Sequence, residues 1–335
     1  MEQKPRFLLS GVDRACIERY RDFLPKRVFD AHMHVYCDGS IPAFSGTSVF
    51  SAPAAAPEDY LRDMRQLLPG VRSFGMNCIP MPDPALTQTD NGLRSRVNRF
   101  AAEAAAHTRA CCASAYILPS DSVETIHHFT DQPQVRALKC YAYGAGRAEI
   151  EPLDVEDFLP ESAWAAAKEK KIPIILHLMH PEGISDKSNL DYVEQMTARY
   201  PEVPLVLAHC ARSFASWTLI RQLRSLPDRE NIWFDLSAIC ESGPMLACLL
   251  KTNCKRVVWG SDYPICMHRG RAITLAGSQT WLDSDAFSSL PRTYIAVENL
   301  QALYEAALLM NLDQTQVDDI FYHNALRLSH FQDRL

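Results

Sequence analysis

No run of lysine or arginine occurs anywhere in this chain of 335 residues, and its formal net charge is −6. A basic stripe is the footprint of proteins that bind nucleic acid or anionic membranes, so neither partner class is expected. No stretch approaches the roughly 20 consecutive apolar residues of a membrane span. The opening residues, Met1-Glu2-Gln3-Lys4-Pro5-Arg6, carry acid and proline and lead into no signal-type apolar run. The eleven cysteines form no Cys-x-x-Cys pair and follow no regular spacing. Cys140, Cys210 and Cys248 sit inside apolar runs, where a thiol behaves as a small hydrophobe. The expectation is a cytoplasmic protein with reduced cysteines. Internal repeats, low-complexity segments and dividing linkers are also missing, which leaves a single domain over residues 1–335 as the simplest organisation.

What the chain does have is a hydrophobic fraction of 47%, enough for a large core, and a regular alternation of strand and helix patterns. The strand patterns cover Val28–His34, Val71–Cys78, Ala110–Leu118, Val135–Tyr143, Ile172–Leu178, Val203–His209, Ile232–Ser237 and Arg256–Asp262. Helical patterns lie between them, with a short one before the first strand (11–25) and two after the last (about 292–310 and 313–330). Strands that alternate with helices pair in parallel, and eight such units close into a (β/α)₈ TIM barrel. This barrel has a long loop after strand 1, rich in Gly, Ser, Ala and Pro, that runs to about Pro57. Loops of that length in compact domains are usually functional, and a lid is expected.

Polar residues interrupt this pattern at telling places. In the first strand, period-2 alternation puts Asp30, His32 and His34 on one face and Phe29, Ala31 and Met33 on the other. Two imidazoles on one face can grip one metal ion. Later strands read as apolar runs that stop at an ionisable residue: Ile174-Ile175-Leu176 before His177, Leu205-Val206-Leu207-Ala208 before His209, and Val257-Val258-Trp259-Gly260-Ser261 before Asp262. Singly, each His could be a buried structural histidine and Asp262 could cap the turn ahead of Tyr263-Pro264. Together they fall at the C-terminal strand ends, where barrel enzymes carry their chemistry, and they point to a metal centre.

The order His32-x-His34, Lys139, His177, His209, Asp262 along strands 1, 4, 5, 6 and 8 resembles the amidohydrolase superfamily. The phrases Phe29-Asp30-Ala31-His32-Met33-His34, Leu207-Ala208-His209-Cys210 and Trp259-Gly260-Ser261-Asp262-Tyr263-Pro264 are similar to its amidohydrolase-2, or aminocarboxymuconate-semialdehyde decarboxylase-like, branch. That branch includes aromatic-acid decarboxylases and lactone hydrolases. The resemblance implies one divalent metal, zinc in most members with manganese as the alternative, held by His32, His34, His177 and Asp262. It implies His209 as general base or electrostatic partner beside a metal-bound water, and Asp262 is a candidate to share that water's proton while ligating. A second metal bridged by a carbamylated Lys139 is the less favoured arrangement, and Lys139 is read as a substrate contact. A small-molecule substrate follows, and a homodimer is a further expectation from resemblance alone.

Around the same mouth, Arg212 lies three residues past His209, where a guanidinium suits a substrate carboxylate. Tyr141 and Tyr143 share the face of Lys139 in strand 4 and are candidates to line the pocket. His180, His268 and Arg269 leave strands 5 and 8 and rank second. His107, His127 and His128 fall on helices and read as solvated, and His323 and His330 as structural or exposed. Asp30 is expected to brace a ligand histidine. The leading expectation is a metal-dependent hydrolase of a small carboxylated or cyclic substrate such as a lactone or amide. The alternative is a non-oxidative decarboxylase of a small unsaturated or aromatic acid built from the same residues.

Overall fold

The structure, a computed structural model, describes residues 4–41, 49–50, 52–81, 92–145, 153–275, 278–282 and 289–330. Eight strands form one parallel sheet in chain order: β1 (Arg27–Val35), β2 (Ser73–Pro80), β3 (Cys111–Tyr116), β4 (Val135–Lys139), β5 (Ile174–Leu176), β6 (Leu205–Leu207), β7 (Ile232–Asp235) and β8 (Val257–Val258). The sheet comes round on itself where β8 meets β1. Ala31 N–H donates to the Trp259 carbonyl (3.0 Å), Asp262 N–H to the His32 carbonyl (2.7 Å) and His34 N–H to the Tyr263 carbonyl (2.7 Å). Every strand expected from the sequence is present, and helices separate them as βαβ geometry requires.

Most strands are shorter than their sequence patterns, and two of the differences shape the site. Strand 4 ends at Lys139 rather than Tyr143, where the chain turns into a 3₁₀ segment at Ala142–Ala145. Strand 8 keeps a regular ladder only at Val257–Val258, against β7, and the residues after it bond to β1 at Trp259, Asp262 and Tyr263 instead. Residues 42–48 and 51 of the lid expected after β1 lie outside the described residues. Its two ends are pinned by a Tyr36–Ala55 bridge, with bonds of 3.1 and 2.9 Å.

The barrel interior is filled by side chains from all eight strands: Phe29, Ile79, Cys112, Tyr116, Ala137, Ile175, Val206, Trp233 and Val258. The outward-facing partners of these residues pack beneath the helices in a second, larger apolar layer. The C-terminal helical segment, Gln314–Ser329, brings Tyr322, Ala325 and Leu328 against the interior cluster. Asn324 pins it there by donating to the Cys254 and Val257 carbonyls, both at 2.7 Å. Among the described residues, no helix is long and apolar enough to cross a membrane.

Candidate metal centre and active site

β1 carries a register shift between Asp30 and Met33. The extra residue breaks the alternation, so the expected face assignment is corrected: Phe29 and Ala31 belong to the barrel interior, and His32 and His34 line the cavity above them. Asp30 sits instead at the β1–β8 seam, accepting the backbone N–H groups of His32 (3.0 Å) and Ser261 (2.9 Å). It braces His32 through the main chain rather than through the ring, and burial pushes its carboxyl pKa up to about 7.

The carboxylate that holds the His32 ring comes from β7. Asp235 accepts a short hydrogen bond from His32 Nδ1. The sequence patterns above do not single this residue out, although its signal is present: Ile232-Trp233-Phe234 is another apolar run that stops at an ionisable residue.

At the mouth, His32, His34 and Asp262 place one ligand atom each within 4.8 Å of one another, and all three residues are buried. His34 Nε2 lies 3.0 Å from Asp262 Oδ1, and His32 Nε2 lies 3.7 Å from the same oxygen. Proton bookkeeping tests whether this group fits a metal ion. His32 gives its Nδ1 proton to Asp235, and His34 Nδ1 lies 3.3 Å from the Tyr141 hydroxyl, whose own proton goes to the Pro80 carbonyl (3.1 Å). In its neutral form each ring therefore turns an Nε2 lone pair towards a carboxylate oxygen. Three lone pairs facing one point repel one another unless a cation lies between them. Two ligands about 2.1 Å from a zinc ion at near-tetrahedral angles stand about 3.4 Å apart, close to the separations found here.

Electrostatics keep these groups in ligand form. Burial drives the His32 pKa down to about 4 even beside Asp235, and drives that of His177 well below the ordinary imidazole value. Burial alone would raise the Asp262 pKa, but a hydrogen bond from His34 and the positive charge that His209, His32 and His34 carry when protonated outweigh it and hold the carboxyl below its usual range. Metal binding would therefore displace few protons at neutral pH.

His177 and His209 join the cavity from β5 and β6. The ring of His209 is 4.9 Å from that of His177 and 5.2 Å from that of His32, centre to centre. His177 stands apart from the close three-residue group: its Nε2 accepts from Arg212 Nη1 at 2.9 Å, and Arg212 also donates to the Leu178 carbonyl (3.3 Å). Lys139 is 1% exposed, with Nζ 5.0 Å from the centre of the Tyr141 ring, and burial lowers its pKa.

The backbone that presents these side chains is unusual. His209, Cys210, Ala211 and Arg212 all have left-handed φ, at 55°, 50°, 59° and 56°. They make a single left-handed turn closed by Ser213 N–H on the His209 carbonyl (2.9 Å). A non-glycine residue in this region costs about 1–3 kcal/mol, which the surrounding packing must offset. Asp262 is left-handed as well, with φ 63°.

Together the walls enclose about 450 Å³. Met81, Met179, Phe214, Ile265, Trp281 and Ile295 make much of the upper lining apolar. Trp281 and Gln279 arrive on a hairpin inserted after β8, in which Ala272–Leu275 pairs with Ser278–Trp281, and the sequence patterns had not marked it. The second-ranked candidates go elsewhere. His180 pairs with Asp154 (3.1 Å) and Asp186 (3.4 Å), and Arg269 pairs with Asp13 (2.7 Å) over the face of Tyr294. His268 stacks obliquely near Trp281, at 6.2 Å between ring centres. Of the helix histidines, His107 donates from Nδ1 to the Glu103 carbonyl of its own turn (2.7 Å), and His127 meets Glu169 (3.2 Å).

A parallel eight-stranded barrel with histidines and an aspartate gathered at its C-terminal strand ends defines a class of metal-dependent barrel enzymes. Within that class, the amidohydrolase family model Amidohydro_2 matches residues 29–331, and the chain belongs to this family. Solved structures share the fold. An amidohydrolase from Burkholderia multivorans with bound zinc matches with a TM-score of 0.59 and 14% identity, covering 91% of this chain and 99% of that one. The 5-carboxyvanillate decarboxylase of Novosphingobium aromaticivorans, complexed with manganese, gives 0.58 and 12%, covering 93% and 97%. A putative 2-pyrone-4,6-dicarboxylic acid hydrolase from Pseudomonas putida gives 0.56 and 14%, covering 92% and 99%. No curated protein matches the chain.

Proposed function

We propose that the chain is a metal-dependent hydrolase of a small, ring-shaped carboxylated substrate, with a lactone as the favoured class. The observation that carries this reading is the convergence of the His32, His34 and Asp262 lone pairs beneath an apolar cavity that also holds His209, Lys139 and Arg212. His32, His34 and Asp262 would hold the ion, with His177 as fourth ligand once its Nε2 is released by Arg212. A divalent ion there supplies Lewis acidity, polarising a carbonyl and acidifying water.

The chain's own residues do the rest. His209 receives a proton at Nε2 as the nucleophile forms, and it returns that proton to the leaving oxygen. Arg212 and Lys139 bind the substrate carboxylate, and Tyr141 flanks it. The methionine, phenylalanine and tryptophan walls exclude water and fit a flat ring. Lys139 acts here as an ammonium rather than as a bridge between two ions. The single group of three close ligand atoms among the described residues favours one ion.

The test is incubation of zinc- or manganese-loaded protein with 2-pyrone-4,6-dicarboxylate and with 5-carboxyvanillate. Loss of the pyrone absorbance through ring opening supports hydrolysis. Release of bicarbonate from the aromatic acid, with the lactone untouched, replaces it with decarboxylation. His209→Asn is expected to abolish turnover while metal content stays near normal. If activity persists in that variant, His209 is not the base.

A further inference from the structure

We infer that Ser237 and Asp235 are positioning residues that lock His209 with its proton on Nδ1 and its lone pair on Nε2, and that Asp235 thereby anchors the metal-binding ring of His32 and the basic ring of His209 together. The inference rests on the reading of His209 as base. Its geometry comes from the end of β7, a strand to which neither the sequence patterns nor the family resemblance attached any function.

His209 Nδ1 lies 3.0 Å from the Ser237 carbonyl oxygen and 3.0 Å from the Ser237 hydroxyl oxygen. A carbonyl oxygen can only accept, so at this distance Nδ1 must carry the hydrogen. The hydroxyl has one proton, and its direction follows from its other neighbour. Ser237 Oγ stands 2.9 Å from Asp235 Oδ2, a buried carboxylate oxygen that can only accept. The hydroxyl proton therefore points to Asp235, and its lone pair is left to share the Nδ1–H of His209. The opposite tautomer would set an imidazole lone pair against a carbonyl oxygen at 3.0 Å. In a dry site, an unpaired polar contact of that kind costs about 1–3 kcal/mol.

Asp235 is satisfied on every side. It accepts from His32 Nδ1, from the Ser237 hydroxyl and from the Ser237 backbone N–H (2.7 Å). Both Asp235 and Ser237 are 1% exposed or less. The arrangement leaves the Nε2 atoms of both rings as their only available acceptors, one for a cation and one for a proton. When His209 takes up that proton, the Ser237 hydroxyl passes part of its positive charge to the Asp235 carboxylate without moving a heavy atom.

The experiment reads the tautomer directly. Zinc-loaded protein is labelled with ¹⁵N-histidine, and the His209 resonances are assigned by their loss in His209→Gln. The expected spectrum shows a protonated Nδ1 and an unprotonated Nε2 at neutral pH. A protonated Nε2 with a bare Nδ1 would overturn the inference. Ser237→Ala is expected to lower kcat for lactone opening about tenfold, leaving KM and zinc affinity unchanged, and Ser237→Thr to restore most of the loss. A kcat within twofold of the parent, or a parallel loss of zinc and kcat, would also overturn it, the latter because it marks a purely structural role. The nuclear resonance measurement needs no substrate. Failure of the parent protein to open the lactone would therefore count against the proposed reaction and leave the tautomer to decide the inference.

Discussion

At Asp262, one carboxylate oxygen faces two imidazole nitrogens, at 3.0 and 3.7 Å, with little water to screen them. Asp262→Asn keeps the shape but removes the charge and replaces an acceptor with a donor on one side. It is expected to weaken zinc binding at least about 100-fold, measured by competition with a chromogenic chelator. Unchanged affinity would remove Asp262 from the ligand set. Arg212 makes a second case. Its guanidinium now occupies the Nε2 lone pair of His177, which cannot serve an arginine and a metal ion at once. Arg212→Ala should therefore tighten zinc binding and, if Arg212 holds the substrate carboxylate as proposed, raise KM for a carboxylated substrate about tenfold or more. Titration of the variant with zinc checks the first effect, and steady-state kinetics check the second. If the zinc affinity instead weakens, the Arg212–His177 contact supports the site rather than competing with the ion.

At the scale of elements, the site depends on how closely β8 and the neighbouring turns approach β1. A Cβ on Gly260 would lie 2.6 Å from the Cβ of His32 and 3.0 Å from its backbone nitrogen, so only glycine lets Trp259 through Asp262 run against the histidine strand. Gly260→Ala is expected to cost about 1–3 kcal/mol of stability and to lower zinc occupancy with it, since the displaced strand carries His32. Thermal unfolding together with metal analysis of the purified variant would check both effects. Gly183, with φ 52°, plays the same part for the left-handed turn that carries His209. A Cβ there would meet the Ala211 and Arg212 carbonyl oxygens at 2.9 and 2.6 Å. Strain in the turn from His209 to Arg212 is thus held in place by the loop after β5, whose first residue is itself a candidate ligand.

At the scale of the molecule, the metal group joins β1 to the end of β8, the seam at which the barrel closes. An ion bound there ties the first strand to the last, more than 220 residues away along the chain. Binding the folded state alone stabilises it by about 2.7 kcal/mol when free ion exceeds its dissociation constant a hundredfold. For a chain of this length that corresponds to a rise in Tm of about 4 °C. Zinc-loaded protein treated with EDTA should fall by that amount, and the shift should vanish in Asp262→Asn. A chelator-insensitive melting curve in the parent would show that the seam is held by the backbone and apolar core alone.

The sequence alone shows the eight strand–helix units, since period and punctuation are local properties of the chain. It also determined His32, His34, His177, His209 and Asp262 as the candidate set, because an ionisable residue that ends an apolar run can be seen without knowing what faces it. Only the tertiary structure decided which groups meet. The register shift in β1 reversed the face of Asp30, and such a shift depends on the pairing partner rather than on local preference. The roles of Asp235 and Ser237 depend on contacts across some 200 and 28 residues of sequence, to His32 and His209. The hold of Arg212 on His177 and the roof supplied by Trp281 are of the same kind. Pattern along a chain reports what each residue prefers, whereas a hydrogen bond is fixed by the position of its partner, and folding alone sets that position.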